Sequence, residues 1–533
     1  MIFVALAAII LPLILLGVFN LPATRGMSLS AIVVMITGYL FWHLSPTVLL
    51  ASVLQALHKS LPILWILFGA LLMLNSLRAT GAIDRINQGF KALSADMRLQ
   101  TVLVAFLFGG LIEGVSGFGT PAMVTAPLLI ALGFSPMAAV IMALVADSTP
   151  AAFGAVGTPL TVGLSNVTEK TSLLNQIGLR VTQLDLFVGA LMPAVLILIL
   201  ILGFGPKQDR FKQWLAVLPW ALVIGLVYSS IALVSAWLIG YEFIAILAPL
   251  GTLIVAIISI RYHWLLPAST RETPWQVATV TSESTQAAPV NSQMSLLKAW
   301  FPYLLVVILL LASRVWQPLK TALTTTLNLS WSHILGFQSI NSDWELLYSP
   351  GTILALAAII GLLVQVKTLR PLAPTAKKVV SSMGGTALAL IVTLIMVQVF
   401  TNSGLNTAKL PSMPMYIAKF VAKYLAGIWI IIAPFLGELG SFVTGSTTVS
   451  TLTFAQIQAD IAANAQLNEP VVLAAQLIGA AAGNMICVHN IVAVSSVVGL
   501  NGQEGAILRQ TILPALGYAA LIGLSGLVLL TLI

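Results

Sequence analysis

Four ionisable side chains, Glu113, Asp147, Glu438 and His489, lie in stretches otherwise built from Ala, Val, Ile, Leu and Gly. A charge in such a setting is costly, so each marks a place where a proton or a charged solute is handled. Each has polar company at a fixed offset. Glu113 leads Gly-Val-Ser-Gly-Phe-Gly-Thr-Pro121, and Glu438 leads Leu-Gly-Ser-Phe-Val-Thr-Gly-Ser-Thr-Thr448. Asp147 opens Ser-Thr-Pro150, and His489 stands near the end of Gly483-Asn-Met-Ile-Cys-Val-His-Asn490. Apolar surroundings favour a neutral carboxyl, so Glu113, Asp147 and Glu438 are the candidate proton carriers. The plainer alternatives are a hydrogen bond to unwound backbone for Glu113 and Asp147, a helix contact for Glu438 and simple packing for His489. Candidate ligands for a small anion are Ser116, Gly117, Gly119, Thr120, Ser148, Ser446, Thr447, His489 and Asn490. Glycine admits close backbone approach, hydroxyls donate, and helices starting at Thr120 and Ser446 would aim free N–H groups and a partial positive charge at the same point. The competing role of these small residues is to let helices cross closely.

The elements that must hold these residues follow from composition. Of 533 residues, 59% are hydrophobic and 8% charged, and the mean hydropathy is +1.03. A soluble domain carries about a quarter charged residues, so a water-facing surface cannot be made from this chain. It reads as an all-α polytopic membrane protein. At roughly 20 residues per span there is room for a dozen helices and no sizeable extramembrane domain, which excludes a soluble enzyme, a nucleic-acid binder and a secreted protein. The 24 basic and 16 acidic side chains leave a charge of +8, as expected when Lys and Arg collect in cytoplasmic loops. A single cysteine, Cys487, rules out an internal disulfide and a multi-cysteine metal site. Residues 1–20 lack a basic leader and a small-residue cleavage site and read as a retained first helix.

Apolar runs predict spans at 1–20, 26–43, 60–80, 184–204, 214–239, 241–262, 299–314, 347–366, 381–402 and 511–532. Residues 99–165 and 424–500 are apolar but broken by Gly, Ser, Thr and Pro, which lipid-exposed backbone does not tolerate, so they belong inside the protein. Arg25, the Arg78/Arg85/Lys91/Arg98 group, Lys207/Arg210/Lys212, Arg271/Lys298 and Lys367/Arg370/Lys377/Lys378 should face the cytoplasm. The N-terminus is then outside, and Asp343 and Glu345 fall in an outer loop. The 267–295 stretch is a flexible cytoplasmic linker with too few apolar residues to pack. Parity then gives two repeats of opposite direction. Residues 1–212 comprise scaffold helices 1–98, a re-entrant hairpin 99–134, a broken helix 136–165 and the helix 184–204. Residues 213–298 hold two linking helices and the loop. Residues 299–533 repeat the order with scaffold helices 299–423, a hairpin 424–463, a broken helix 470–500 and the helix 511–532. The alternative is a set of ordinary spans containing tolerated glycines. Inverted repeats with discontinuous helices point to a secondary transporter with its site at midplane.

Leu111-Ile-Glu-Gly-Val-Ser-Gly-Phe-Gly-Thr-Pro121, Ser-Thr-Pro-Ala-Ala-Phe-Gly-Ala-Val-Gly at 148–157, Phe-Leu-Gly at 435–437 and Leu-Gly-Ser-Phe-Val-Thr-Gly-Ser at 439–446 resemble the bacterial L-lactate permease family over nearly the whole chain. The resemblance implies a proton-coupled importer of lactate or a related short 2-hydroxy monocarboxylate such as glycolate, in the bacterial inner membrane. The chain departs from that family's pattern in having Asp147 for Asn, Thr447 for Asp, Asn484 for Lys, His489 for Gln, and Glu438 for an apolar or aromatic residue. It therefore resembles a divergent member. A sodium-coupled carboxylate symporter is the alternative, with tip carbonyls and the hydroxyls of Ser116, Ser148, Thr149 and Ser446 holding the ion. A channel is a third reading. A membrane-embedded enzyme lacks support because no His-Glu-x-x-His and no second aspartate comparable to Asp147 occur. Candidate partners are a small carboxylate, a proton or sodium ion, lipid and a second copy of the chain; no nucleic acid, cofactor or metal is implied.

Overall fold

Hydrocarbon offers the backbone no hydrogen-bond partners, so a chain this apolar satisfies its N–H and C=O groups within helices. The computed structural model describes all residues except 118, 166, 169, 277–293 and 533. Among the described residues its regular structure is helical, with no strands beyond three isolated bridges. The first group of helices is α1 (Ile2–Val18), α2 (Ala23–Leu40), α3 (Pro46–Ala79) and α4 (Ala82–Leu93). Next come α5 (97–115), α6 (Thr120–Ala131), α7 (Pro136–Ala146) and α8 (Pro150–Thr161). Three long helices follow: α9 (Thr171–Phe204), α10 (Arg210–Leu238) and α11 (Ile244–Arg261). The chain resumes with α12 (Leu296–Val315), α13 (Gln317–Thr326), α14 (Pro350–Val366), α15 (Leu372–Ser382), α16 (Gly384–Thr401) and α17 (Met413–Leu425). It ends with α18 (Trp429–Thr444), α19 (Thr447–Asn464), α20 (Glu469–Gly483), α21 (Val488–Val498) and α22 (Glu504–Leu532).

Among the described residues ten helical stretches are long and apolar enough to cross a membrane, and the α7–α8 pair, bent by 51° at its break, makes an eleventh if it counts as one span. The chain is a multi-pass membrane protein. Burial separates two kinds of span. All of Met97–Gly114 and the whole apolar window of Glu469–Val498 are buried, against a third of Leu296–Ser313. The segments interrupted by Gly, Ser and Pro are thus enclosed, and the uninterrupted ones expose large side chains such as Leu513 and Leu297. Two consecutive helix pairs, α5 with α6 and α18 with α19, pack against each other across tight turns. The packing between halves is reciprocal: α21 lies on α6, and α8 lies on α19.

The second pair is bolted to α20 by a buried chain of amides. Trp429 Nε1 donates to Gln458 Oε1 (2.6 Å), Gln458 Nε2 to Gln476 Oε1 (2.7 Å), and Ser450 Oγ to the Gly437 carbonyl (2.7 Å). Helix ends rich in basic residues gather on one face, where Thr80 Oγ1 donates to Gln365 Oε1 (2.7 Å), Gln365 Nε2 to the Lys298 carbonyl (3.1 Å) and Arg85 Nε to the Met294 carbonyl (2.9 Å).

Three boundaries differ from the sequence reading. The span expected at 60–80 begins at Pro46, because Gln55, His58 and Lys59 find partners: Asn402 Nδ2 donates to Gln55 Oε1 (2.8 Å), His58 Nδ1 pairs with Ser342 Oγ (2.8 Å), and Lys59 Nζ donates to Gln398 Oε1 (3.3 Å). The helix expected at 184–204 begins at Thr171, so Arg180 and Asp185 sit within it instead of at its end. The linker expected at 267–295 lies mostly outside the described residues, but its first part is docked, not loose. Trp275 donates from its backbone N–H to Asp96 Oδ2 (3.2 Å) and from Nε1 to Gln213 Oε1 (2.7 Å). Asp96 also holds Arg98 in a buried ion pair at 2.6 Å.

Candidate functional site

The first turn, with Ser116, Gly117 and Gly119, lies between α5 and α6. Gly119 has φ +73°, and a Cβ there would lie 2.7 Å from Asn490 Oδ1. Pro121 fits at the second position of α6, where no N–H is needed. The second turn centres on Gly445, whose φ of +68° suits glycine. A Cβ at Gly445 would enter the ring of His489. Ser446 caps α19, its Oγ accepting the Val449 N–H at 3.3 Å. The consecutive residues His489 and Asn490, at the start of α21, therefore touch the two turns, one each.

The breaks come to the same point. Between α7 and α8 the chain passes through Asp147, Ser148 and Thr149, and Ala155, Val156 and Gly157 all have left-handed backbone (φ +47°, +56° and +73°). For a β-branched residue such as Val156 that conformation costs on the order of 1–3 kcal/mol and persists only where the surroundings enforce it. Gly154 leaves room for the Glu113 carboxyl, since a Cβ there would overlap Glu113 Oε1. In the second break Asn484 Nδ2 donates to Thr447 Oγ1 at 3.1 Å.

A small cavity of about 290 Å³, mouth included, lies at this junction, lined by Glu113 and Gly117 from the first pair, by Gly154 and Thr158 from α8, by Gly445, Ser446, Thr447 and Thr448 at the second turn, and by Asn484. The carboxyls of Glu113 and Asp147 face each other within hydrogen-bonding reach. They are 3% and 6% exposed. Glu113 Oε2, Asp147 Oδ1, Thr120 Oγ1, Asn484 Oδ1 and His489 Nδ1 are buried without a protein partner. Buried polar atoms left over by the protein mark where a proton, ligand or water completes the set.

Among the residues singled out from sequence, Glu113, Gly117, Ser446 and Thr447 line the cavity, and Asp147 reaches it through Glu113. Gly119, His489 and Asn490 shape the turns without lining it. Ser116 Oγ donates to the Ile112 carbonyl (3.1 Å) and Ser148 Oγ to the Val145 carbonyl (2.8 Å), so both hydroxyls are spent on their own helices. Thr120 is buried with its hydroxyl unpartnered. Glu438 is buried inside α18 with both carboxyl oxygens unpartnered and does not line the cavity. Gly154, Thr158 and Pro159 line it and were not singled out. The signal was the glycine-rich run that follows Pro150, which reads equally well as simple close packing.

The family profile described as L-lactate permease matches residues 1–533. A putative L-lactate permease of Haemophilus influenzae is 29% identical, over 96% of this chain and 95% of its own length. The L-lactate permease of Bacillus subtilis is 26% identical over 92% of this chain and 88% of its own. A glycolate permease of Escherichia coli is 29% identical over 87% and 83%. With a match from end to end, the chain is a membrane transporter, not an enzyme, and it belongs to the L-lactate permease family.

Proposed function

We propose that the protein imports L-lactate or a related short 2-hydroxy monocarboxylate such as glycolate by proton symport, through alternating access around the cavity between the two turns. The observation that carries this reading is the Glu113–Asp147 contact at the cavity wall. Two bare carboxylates repel and have no hydrogen to share, so a proton held between them favours this contact. The lining contains no Lys or Arg; an anion there is held by the N-terminus of α19, the hydroxyls of Ser446, Thr447 and Thr448 and the amide of Asn484. Such neutral donors do not offset a doubly ionised acid pair. Proton and anion therefore favour each other's binding, and by linkage the effect is reciprocal. That mutual requirement is what symport needs.

In this reading α5–α6 and α18–α19 are re-entrant hairpins, α7–α8 and α20–α21 are the discontinuous helices, and the two halves, 1–212 and 299–533, are inverted repeats joined by 213–298. The reciprocal packing of α21 on α6 and α8 on α19 supports it. Twelve spans then place the N-terminus outside a bacterial inner membrane, with the basic face in the cytoplasm. The substrate-binding set is Ser446, Thr447, Thr448, Gly117 and Asn484, with His489 and Asn490 as positioning residues. Names of relatives support the substrate class: they are permeases for L-lactate and glycolate.

The test is uptake of radiolabelled carboxylates by proteoliposomes under an imposed proton or sodium gradient. Saturable L-lactate or glycolate uptake that follows the proton gradient and shows counterflow is expected. Uptake that ignores pH and follows sodium would favour the sodium-coupled reading, and non-saturable flux without counterflow would indicate a channel.

A further inference from the structure

A second, narrow cavity, about 280 Å³ with its open mouth included, lies on the other side of the first broken helix and takes no part in the site above. Thr149 and Phe153 line it, whereas Ala151, Gly154 and Ala155 of the same segment line the first. The wall opposite is polar: Thr182 and Asp185 from α9, Tyr228 and Ser229 from α10. Ser229 is 4% exposed, and its hydroxyl is buried without a protein partner. Glycine at 189 leaves room for the acid on its own helix, since a Cβ there would lie 2.5 Å from Asp185 Oδ2.

The hydrogen bonds here have a direction. Tyr518 OH, from α22, donates to Asp185 Oδ1 at 2.5 Å, and its oxygen meets Thr149 Oγ1 at 3.3 Å. A phenol has one hydrogen, so the Thr149 hydroxyl is the donor in the second contact. The chain of donors runs from Thr149 through Tyr518 to Asp185, away from Asp147, which lies two residues before Thr149. The groups facing Asp185 from packed elements are Tyr518 of α22 and Tyr228 of α10. Tyr228 also lies within electrostatic range of Asp147 and Glu113, and of Tyr518. Arg180, on the same helix as Asp185, turns to Gln183 at 2.8 Å. Buried hydroxyl and carboxyl chains of this kind are the usual means of moving protons inside a membrane.

We propose that Thr149, Tyr518 and Asp185, with Tyr228 beside them, form a proton relay between the Glu113–Asp147 pair and the second cavity, so that the proton travels by a route separate from the substrate's. The inference rests on the proton-symport reading above. In each passage the acid pair gives one proton to the Thr149 oxygen as the Thr149 hydroxyl hydrogen moves to the Tyr518 oxygen. The Tyr518 oxygen accepts a proton as its own hydrogen moves to Asp185, and Asp185 then releases one to water in the second cavity. One proton has moved, and the relay is restored when the hydroxyls rotate back.

The experiment uses the full-length protein in proteoliposomes with a trapped pH-sensitive dye, comparing wild type with Tyr518→Phe, Asp185→Asn and Thr149→Val. Two rates are read: net proton influx driven by an L-lactate gradient, and lactate counterflow, which needs binding and movement but no net proton release. The relay predicts that Tyr518→Phe and Asp185→Asn slow net proton influx tenfold or more with counterflow within twofold of wild type, and that Thr149→Val follows in the same direction. Wild-type proton influx in both Tyr518→Phe and Asp185→Asn overturns the relay. So does an equal loss of both rates in Tyr518→Phe, which keeps the ring and removes only the hydroxyl, because that pattern belongs to a structural contact. If the wild type moves lactate without protons, the symport reading itself has failed before any variant is compared, and the relay with it.

Discussion

Replacing Glu113 by Gln keeps the shape of the acid pair and removes its transferable proton. The two carboxyls meet inside the protein, 3% and 6% exposed, and the Gln amide can donate to Asp147 in place of the shared hydrogen. An anion in the cavity about 5 Å from an uncompensated carboxylate, at an effective dielectric constant of about 20, is disfavoured by ~3 kcal/mol. That corresponds to roughly a hundredfold in affinity, so the wild-type site loads anion and proton together. One proton per monovalent anion is electroneutral, and a pH gradient of about one unit, worth about 1.4 kcal/mol, then sustains accumulation of about tenfold. In proteoliposomes buffered about one unit alkaline inside, the Glu113→Gln variant is expected to equilibrate radiolabelled L-lactate without concentrating it while retaining counterflow. Asp147→Asn should behave alike. Because the pair acts as one unit, the double variant should be no worse than either single one. A Glu113→Gln protein that still concentrates lactate about tenfold would refute the coupling role. Loss confined to Asp147→Asn would move the carrier to the broken helix, and additive losses would refute the pairing.

Two further outcomes follow from the same geometry. Gly445→Ala should cost about 1–2 kcal/mol for its left-handed backbone alone, and it must also displace the His489 ring. Ligand-dependent thermal shifts in detergent should show weakened substrate binding, whereas Gly517→Ala, with nothing within 4 Å of the added carbon, should leave it unchanged; equal behaviour of the two would remove His489 from the second turn. The buried Cys487 leaves the wild type silent to an impermeant maleimide. A cysteine at the exposed Thr273 should then label only after permeabilisation, and one at the exposed Ser332 in intact cells. The opposite pattern would invert the topology.

Sequence alone determined the class of molecule and where its helices are interrupted. Lipid makes the rule local: every backbone polar group must be satisfied within its own segment, so Gly, Ser and Pro in the apolar stretches 99–165 and 424–500 announced enclosed segments, and within them Met97–Gly114 and the apolar window of Glu469–Val498 are wholly buried. The sequence also placed breaks within 147–150 and 483–490, and the helix ends at Ala146 and Gly483 fall there. What chain position could not supply was which polar groups meet. Glu113 and Asp147, weighed from sequence as rival carriers, are one pair, and Glu438, in a similar motif, is set apart from the cavity. Those outcomes depend on how α5 packs against α8 and how α18 rotates about its axis, which the pattern of small residues leaves open. Asp185, which the apolar run at 184–204 puts in the first turn of its helix, lies well within α9 because the helix extends back to Thr171. Its partner Tyr518 is 333 residues away along the chain. Contacts at such separation are set by the assembly of helices, not by any local preference, and only the tertiary structure decided them.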